Sequence, residues 1–121
     1  MTKRAAIEAV YPLSPMQEGM VFHSLEAPGS GVYVEQLACT FEGAVDTSAF
    51  RRAWSHAAER HAVLRTAFSW KRTERMLQVV HRQVRLEAHE EDWRGRPPGE
   101  RDAGFEAFLE ADRVRGFDLS R

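Results

Sequence analysis

The sequence has one cysteine, no long apolar run and no glycine-rich phosphate loop, and each of these absences excludes a class of protein. With Cys39 alone, an intramolecular disulfide cannot form and a cysteine-based metal site would lack ligands. No apolar run approaches the roughly 20 residues that a membrane-spanning helix needs. Glu8 follows the basic N-terminus too closely for the apolar core of a signal peptide, so we expect a cytoplasmic protein without a membrane span.

The composition is that of a globular protein. Of its 121 residues, 43% are hydrophobic and 29% are charged, which suits one small domain with one core. The net charge of −1 is unevenly spread, because residues 51–85 hold nine Lys or Arg and two Glu, a balance of +7. The simplest interpretation of this basic middle is a solvated helix face followed by a basic hairpin, and an acidic or phosphate-bearing partner remains the alternative.

Residues 14–17 carry the signals of a helix start. Ser14 can cap the helix, Pro15 suits its first position, and Gln17 stands where a capping box needs it. The preceding residues 11–13 should be extended, and the helix should run to about Leu25. Gly19 inside it costs about 1 kcal/mol relative to Ala, which indicates close backbone packing or a tolerated defect.

Further elements follow from periodicity. Residues 32–41 alternate as a strand covered on both faces, and within it Cys39 should be a buried apolar residue, with a nucleophile as the alternative. Asp46 can cap a helix that runs to about Leu64. An apolar stripe on that helix should be buried, and it comprises Phe50, Ala53, Trp54, Ala57, His61 and Leu64.

The second half of the chain has the pattern of strands followed by a helix. Residues 65–70 and 76–82 indicate a hairpin, 84–88 a further strand, and 101–115 a helix that ends at Gly116. Phe105, Phe108 and Leu109 should form the buried face of that last helix. The order β-α-β-α-β-β-β-α predicts an α/β two-layer sandwich (α+β), with helices packed on a mixed sheet.

Two motifs carry a family resemblance. Tyr-Pro-Leu-Ser-Pro-Met-Gln-Glu-Gly-Met at 11–20 resembles the opening motif of the condensation domain of nonribosomal peptide synthetases, and Arg-His-x-x-Leu-Arg-Thr-x-Phe at 60–68 resembles its second motif. Residues 34–43 resemble the family's intervening strand, and 116–121 resemble the segment before its next strand. The similarity covers nearly the whole chain in the right order.

The resemblance implies a fold and an activity. The expected fold is an incomplete lobe related to chloramphenicol acetyltransferase, and the expected reaction joins two aminoacyl groups held as thioesters on carrier proteins. The substrates would be held on the carriers' phosphopantetheine, with no cofactor bound directly by this chain. The implied partners are the carrier proteins and the rest of the synthetase.

The family's catalytic motif, His-His-x-x-x-Asp-Gly, does not occur in the sequence, where no two of the five histidines are adjacent. Residues 1–121 are therefore interpreted as the N-terminal segment of one partial domain, inactive by itself and without a catalytic residue. By position, Arg65 resembles the arginine that pairs with the motif's Asp, so we expect Arg65 to lack its carboxylate partner. His61 should be a packed, hydrogen-bonded residue that supports the active site.

Two other functions stay open at this stage. The chain could be a non-catalytic module that docks a carrier protein, or, less plausibly, a nucleic-acid binder that uses the basic middle without interleaved aromatic residues. The histidines show no metal-ligand spacing, so no metal site is expected. An unfinished sheet would also leave a strand edge and an apolar face uncovered, which predicts self-association.

Overall fold

The computed structural model describes residues 6–71 and 74–121. These residues form three strands, three α-helices and a short 3₁₀ turn at Ala62–Arg65. In chain order the larger elements are β1 (Ile7–Pro12), α1 (Pro15–Glu26), α2 (Thr47–Arg60), β2 (Thr66–Ser69), β3 (Leu77–His81) and α3 (Pro98–Arg115). The predicted mixture of helices with a sheet is confirmed, and the helix boundaries lie close to those predicted.

The described residues divide into two compact units. The sheet unit comprises residues 6–18, 41–71, 74–88 and 118–121, and the α3 unit comprises residues 19–40 and 89–117. The sheet unit therefore holds the three strands, α2 and the first turn of α1.

The sheet is antiparallel, with the strand order β1-β3-β2. The predicted hairpin is confirmed as β2 and β3, and residues 72–73 of its turn lie outside the described part of the chain. The outer edge of β2 is engaged at one point, where the Phe68 N–H donates to the Leu119 carbonyl at 2.7 Å. Gln78 and Val80 lie on one face of β3 and are both buried.

The apolar stripe predicted for α2 is largely uncovered. Ala58 is the buried residue of this helix, whereas Phe50 is 46% exposed and Trp54 is 49% exposed, so the predicted burial of the stripe is wrong. Phe41, Phe50 and Trp54 instead contact one another edge to face, with centroids 6.5 and 6.4 Å apart. The remaining apolar core of the sheet unit consists of Leu13, Ala67 and Val80.

The start of α2 follows its sequence signal. The Asp46 carboxylate accepts a hydrogen bond from the Ala49 N–H at 2.9 Å, as the predicted N-cap requires. α1 begins similarly, and its capping box is described with the site below.

In the α3 unit, α3 begins at Pro98, three residues earlier than predicted, and ends as predicted at Gly116. Gly116 has φ 58° and ψ −149°, a conformation nearly restricted to glycine. The predicted burial of Phe105 and Phe108 is wrong, because no described residue of α3 is buried. Phe108 instead stacks on the His89 ring, with centroids 5.9 Å apart.

Residues 32–41 do not form the predicted strand. A strand exists only as part of a hydrogen-bonded ladder, and no described segment pairs with residues 34–40. The Gln36 side chain instead donates to the Leu109 carbonyl at 2.9 Å and to the Asp112 carboxylate at 3.1 Å. Cys39 is consequently exposed, which corrects its predicted burial. The strand expected at 84–88 is absent too.

The interpretation of Gly19 is decided by the space around it. A Cβ atom placed there would meet no heavy atom within 4 Å outside the helix's own turns. Gly19 is therefore a tolerated defect in α1 and not a point of close backbone packing.

Candidate functional site

The second motif places one buried cation at the centre of the sheet unit. Arg65 ends the 3₁₀ turn that follows α2, and its side chain is 7% exposed. Its Nε donates to the Ala58 carbonyl at 2.8 Å, and its Nη1 donates to the Glu8 carboxylate at 2.7 Å and to the His81 carbonyl. The guanidinium thereby joins α2, β1 and β3.

The end of α2 supplies acceptors that suit this cation. The last four carbonyls of a helix lack partners within the helix, and cations are favoured there. Arg65 takes the Ala58 carbonyl and approaches the Glu59 carbonyl at 3.5 Å. The His61 N–H closes the helix by donating to the Ala57 carbonyl at 2.9 Å. The burial predicted for His61 is wrong, since the residue is exposed and makes this contact through its backbone.

A bulge in β1 delivers the carboxylate that pairs with Arg65. Ile7 pairs with His81 and Ala9 with Val80, so β1 advances by two residues while β3 advances by one. Glu8 is the extra residue, and a bulge changes the direction of such a side chain. The expectation that Arg65 would lack a carboxylate partner is therefore wrong, because Glu8 provides one.

The first motif is anchored to the same strand by amide groups. The Ser14 N–H donates to Gln17 Oε1 at 2.9 Å and the Gln17 N–H donates to Ser14 Oγ at 3.2 Å, so the predicted capping box is confirmed. Gln78 Nε2 donates to Gln17 Oε1 and to the Pro12 carbonyl, both at 3.1 Å. Gln78 is 9% exposed, so these contacts satisfy a buried amide.

Both motifs thus meet at β3, the first through Gln78 and the second through His81. Sequence reasoning identified Ser14, Gln17 and Arg65 but missed Glu8 and Gln78. For Gln78 there was a signal, since a glutamine between the apolar residues of a strand needs a polar partner. For Glu8 there was none, because a bulge depends on the register with a strand about 70 residues away.

Other features of the sheet unit are distinct from this cluster. A cavity of about 290 Å³ lies on the opposite face of the sheet from Gln78 and is lined by Ala67, Val79 and His81 among others. Asp118 lies near its rim residue Ser120, whose hydroxyl hydrogen bond lowers the pKa of the Asp118 carboxyl. Across the described residues, no group of three or more His, Cys, Asp or Glu side chains could hold a metal ion.

Comparison with known proteins identifies the family. The family model of the condensation domain matches residues 7–121. The chain belongs to the condensation domain family. The resemblance seen in the two motifs is therefore confirmed, and the Arg65 cluster and the Gln78 contacts belong to the opening part of a condensation domain.

Several peptide synthases contain similar condensation domain sequence. The chain is 50% identical over 115 residues to one of the linear gramicidin synthase proteins of Brevibacillus parabrevis, and the match covers 95% of the chain and 2% of that protein. It is 37% identical over 120 residues to bacitracin synthase 3 of Bacillus licheniformis, with 98% and 2% covered. With surfactin synthase subunit 3 of Bacillus subtilis the identity is 33% over 115 residues, with 95% and 9% covered.

The chain therefore spans a small fraction of the length of these relatives. Among the helices of residues 6–71 and 74–121, none is long and apolar enough to cross a bilayer.

Proposed function

We propose that these 121 residues are the N-terminal part of the N-lobe of a condensation domain that forms peptide bonds within a nonribosomal peptide synthetase. The lobe would have a chloramphenicol acetyltransferase-like fold, and residues 1–121 would be one partial domain. The observation that carries the proposal is the convergence of both family motifs on β3 through buried polar contacts, those of Gln78 and Arg65.

The reaction is an aminolysis of a thioester. The amine of the acceptor aminoacyl group attacks the carbonyl carbon of the donor thioester, a C–N bond forms, and the C–S bond breaks. The carrier thiol leaves with the proton that the amine gives up. The described residues contribute a rigid support to this chemistry, and the proton-handling histidine pair would be supplied from outside them.

Each residue of the support has a distinct task under this proposal. Ser14 and Gln17 fix the start of α1 against β3. Arg65 fixes the end of α2 against the same strand, and His61 ends that helix through its backbone. Pre-organised support of this kind matters because a displacement of about 1 Å at a reacting group can cost a hundredfold in rate.

Carrier proteins are the partners implied by this function, with substrates held on their phosphopantetheine arms. The basic middle supports such an encounter if the carriers are acidic, since complementary charge accelerates association. Arg60, Arg82 and Arg85 are exposed cations of this segment. A carrier titrated at low ionic strength should bind weakly and saturably, and binding should weaken as salt screens these charges.

The proposal is tested by comparing two samples with the same loaded carriers. The intact synthetase that contains these residues should form the amide product, detected by mass spectrometry. The 121-residue chain alone should give no product above background, because its sequence holds no adjacent histidines. Product formation by the chain alone would refute the assigned supporting role, and an inactive intact synthetase would refute the proposed reaction.

A further inference from the structure

The β1 bulge gives Glu8 a task that neither motif includes. Glu8 lies before the first motif in the sequence, yet its carboxylate is 2.7 Å from Arg65 Nη1. The two side chains differ in exposure, 7% for Arg65 and 43% for Glu8, so the carboxylate keeps part of its hydration while it neutralises the buried cation. A pair with one solvated member avoids much of the desolvation cost of a fully buried ion pair.

The donors of the guanidinium show what this pairing leaves available. A guanidinium carries five N–H donors in a fixed plane. The single Nε donor and both Nη1 donors are used by Ala58, Glu8 and His81. At Nη2 the contact is with the Glu59 carbonyl at 3.5 Å, the outer limit of a hydrogen bond. Nη2 is therefore the atom that can take another strong acceptor.

We infer that Glu8 is a positioning residue of the condensation domain. By holding Nη1, it fixes the plane of Arg65 so that Nη2 is presented to a second carboxylate. This inference rests on the proposed function, in which a later part of the domain provides that carboxylate. Glu8 touches no reacting atom and acts through the orientation of Arg65.

The test uses the intact synthetase with Glu8→Gln, which keeps the shape of the side chain and removes its charge. Amide formation should fall about tenfold, up to the hundredfold that a misplacement of about 1 Å can cause. Glu8→Asp keeps the charge on a shorter side chain and should restore part of the rate. Glu42→Gln, in an exposed loop of the same unit, is the matched control and should keep the wild-type rate.

Hydrogen exchange measured on the same samples separates positioning from unfolding. In Glu8→Gln, the amides of residues 59–66 should exchange faster, and the remaining strands and helices should keep wild-type protection. A wild-type rate in Glu8→Gln, or unchanged exchange at residues 59–66, would overturn the inference. If the wild-type synthetase forms no amide, the proposed function fails, and the exchange data still decide whether Glu8 holds Arg65.

Discussion

A buried guanidinium is stable only where its donors meet acceptors, and Arg65 meets them on three different elements. Ala58 is on α2, Glu8 is on β1 and His81 is on β3, so one side chain fixes the relative positions of these elements. Lysine could not replace it, because a single ammonium cannot present donors in a plane to three separate acceptors. At the residue scale, this explains why an arginine stands at the end of the second motif.

A separate residue-scale prediction concerns Asp92. Its side-chain hydrogen bond with Arg94, followed by the backbone bond from the same residue, lowers the pKa of Asp92 from 3.8 to about 2. In Arg94→Gln the pKa should return toward 3.8, as followed by NMR titration of the carboxyl carbon. Arg101→Gln is the control and should leave the Asp92 titration in place.

The sign of the pH effect follows from the direction of that shift. A carboxyl whose pKa is lower in the folded state contributes stability above its unfolded pKa, and the contribution is lost as pH falls through the folded pKa. For Asp92 the loss should occur as pH falls from 3.8 toward about 2. An Asp92 pKa that stays near 2 in Arg94→Gln would show that another group causes the shift.

At the scale of elements, the helices follow local signals that act within a few residues. The caps at Ser14 and Asp46 and the stop at Gly116 were all predicted from the sequence, and all three are confirmed. The strands at 32–41 and 84–88 were predicted wrongly, because a strand needs a neighbour that its own residues do not specify. The same reasoning explains the site, where Arg65 was found from its motif and Glu8, set by strand register, was not.

Two glycines provide an element-scale prediction with opposite signs. Gly19→Ala should stabilise the chain by up to about 1 kcal/mol, since the position is helical and a Cβ meets open space. Gly116→Ala should destabilise it by roughly 1–3 kcal/mol, because the backbone there has φ 58° and ψ −149°. Urea denaturation measures both, and equal midpoints for the two variants would contradict the assigned conformations.

At the scale of the whole molecule, the described surface carries many large apolar side chains. Those more than 60% exposed are Met16, Leu37, Phe41, Val63 and Phe117. Monomeric proteins rarely leave extensive apolar surface uncovered, because such surfaces associate. Burial was accordingly the property that sequence reasoning predicted least well, since it depends on what covers a face and not on the face's own residues.

Self-association of the 121-residue chain is the corresponding prediction. Leu37 is 91% exposed in a segment without a strand partner among the described residues. Leu37→Lys should lower the weight-average mass measured by sedimentation equilibrium at a fixed concentration. Thr40→Lys adds the same charge to the same segment without removing a large apolar side chain, and it should have a smaller effect. A wild-type chain that stays monomeric over a hundredfold concentration range would contradict the prediction.

The exposed thiol has a practical consequence for all these measurements. Because Cys39 is the sole cysteine and is exposed, a maleimide dye or a nitroxide would attach at one known position without further mutagenesis. That position lies in the segment whose alternation predicts a strand and that has no ladder partner among the described residues. A reporter there would register directly when the segment acquires a neighbour, whether from another copy of the chain or from the synthetase around it.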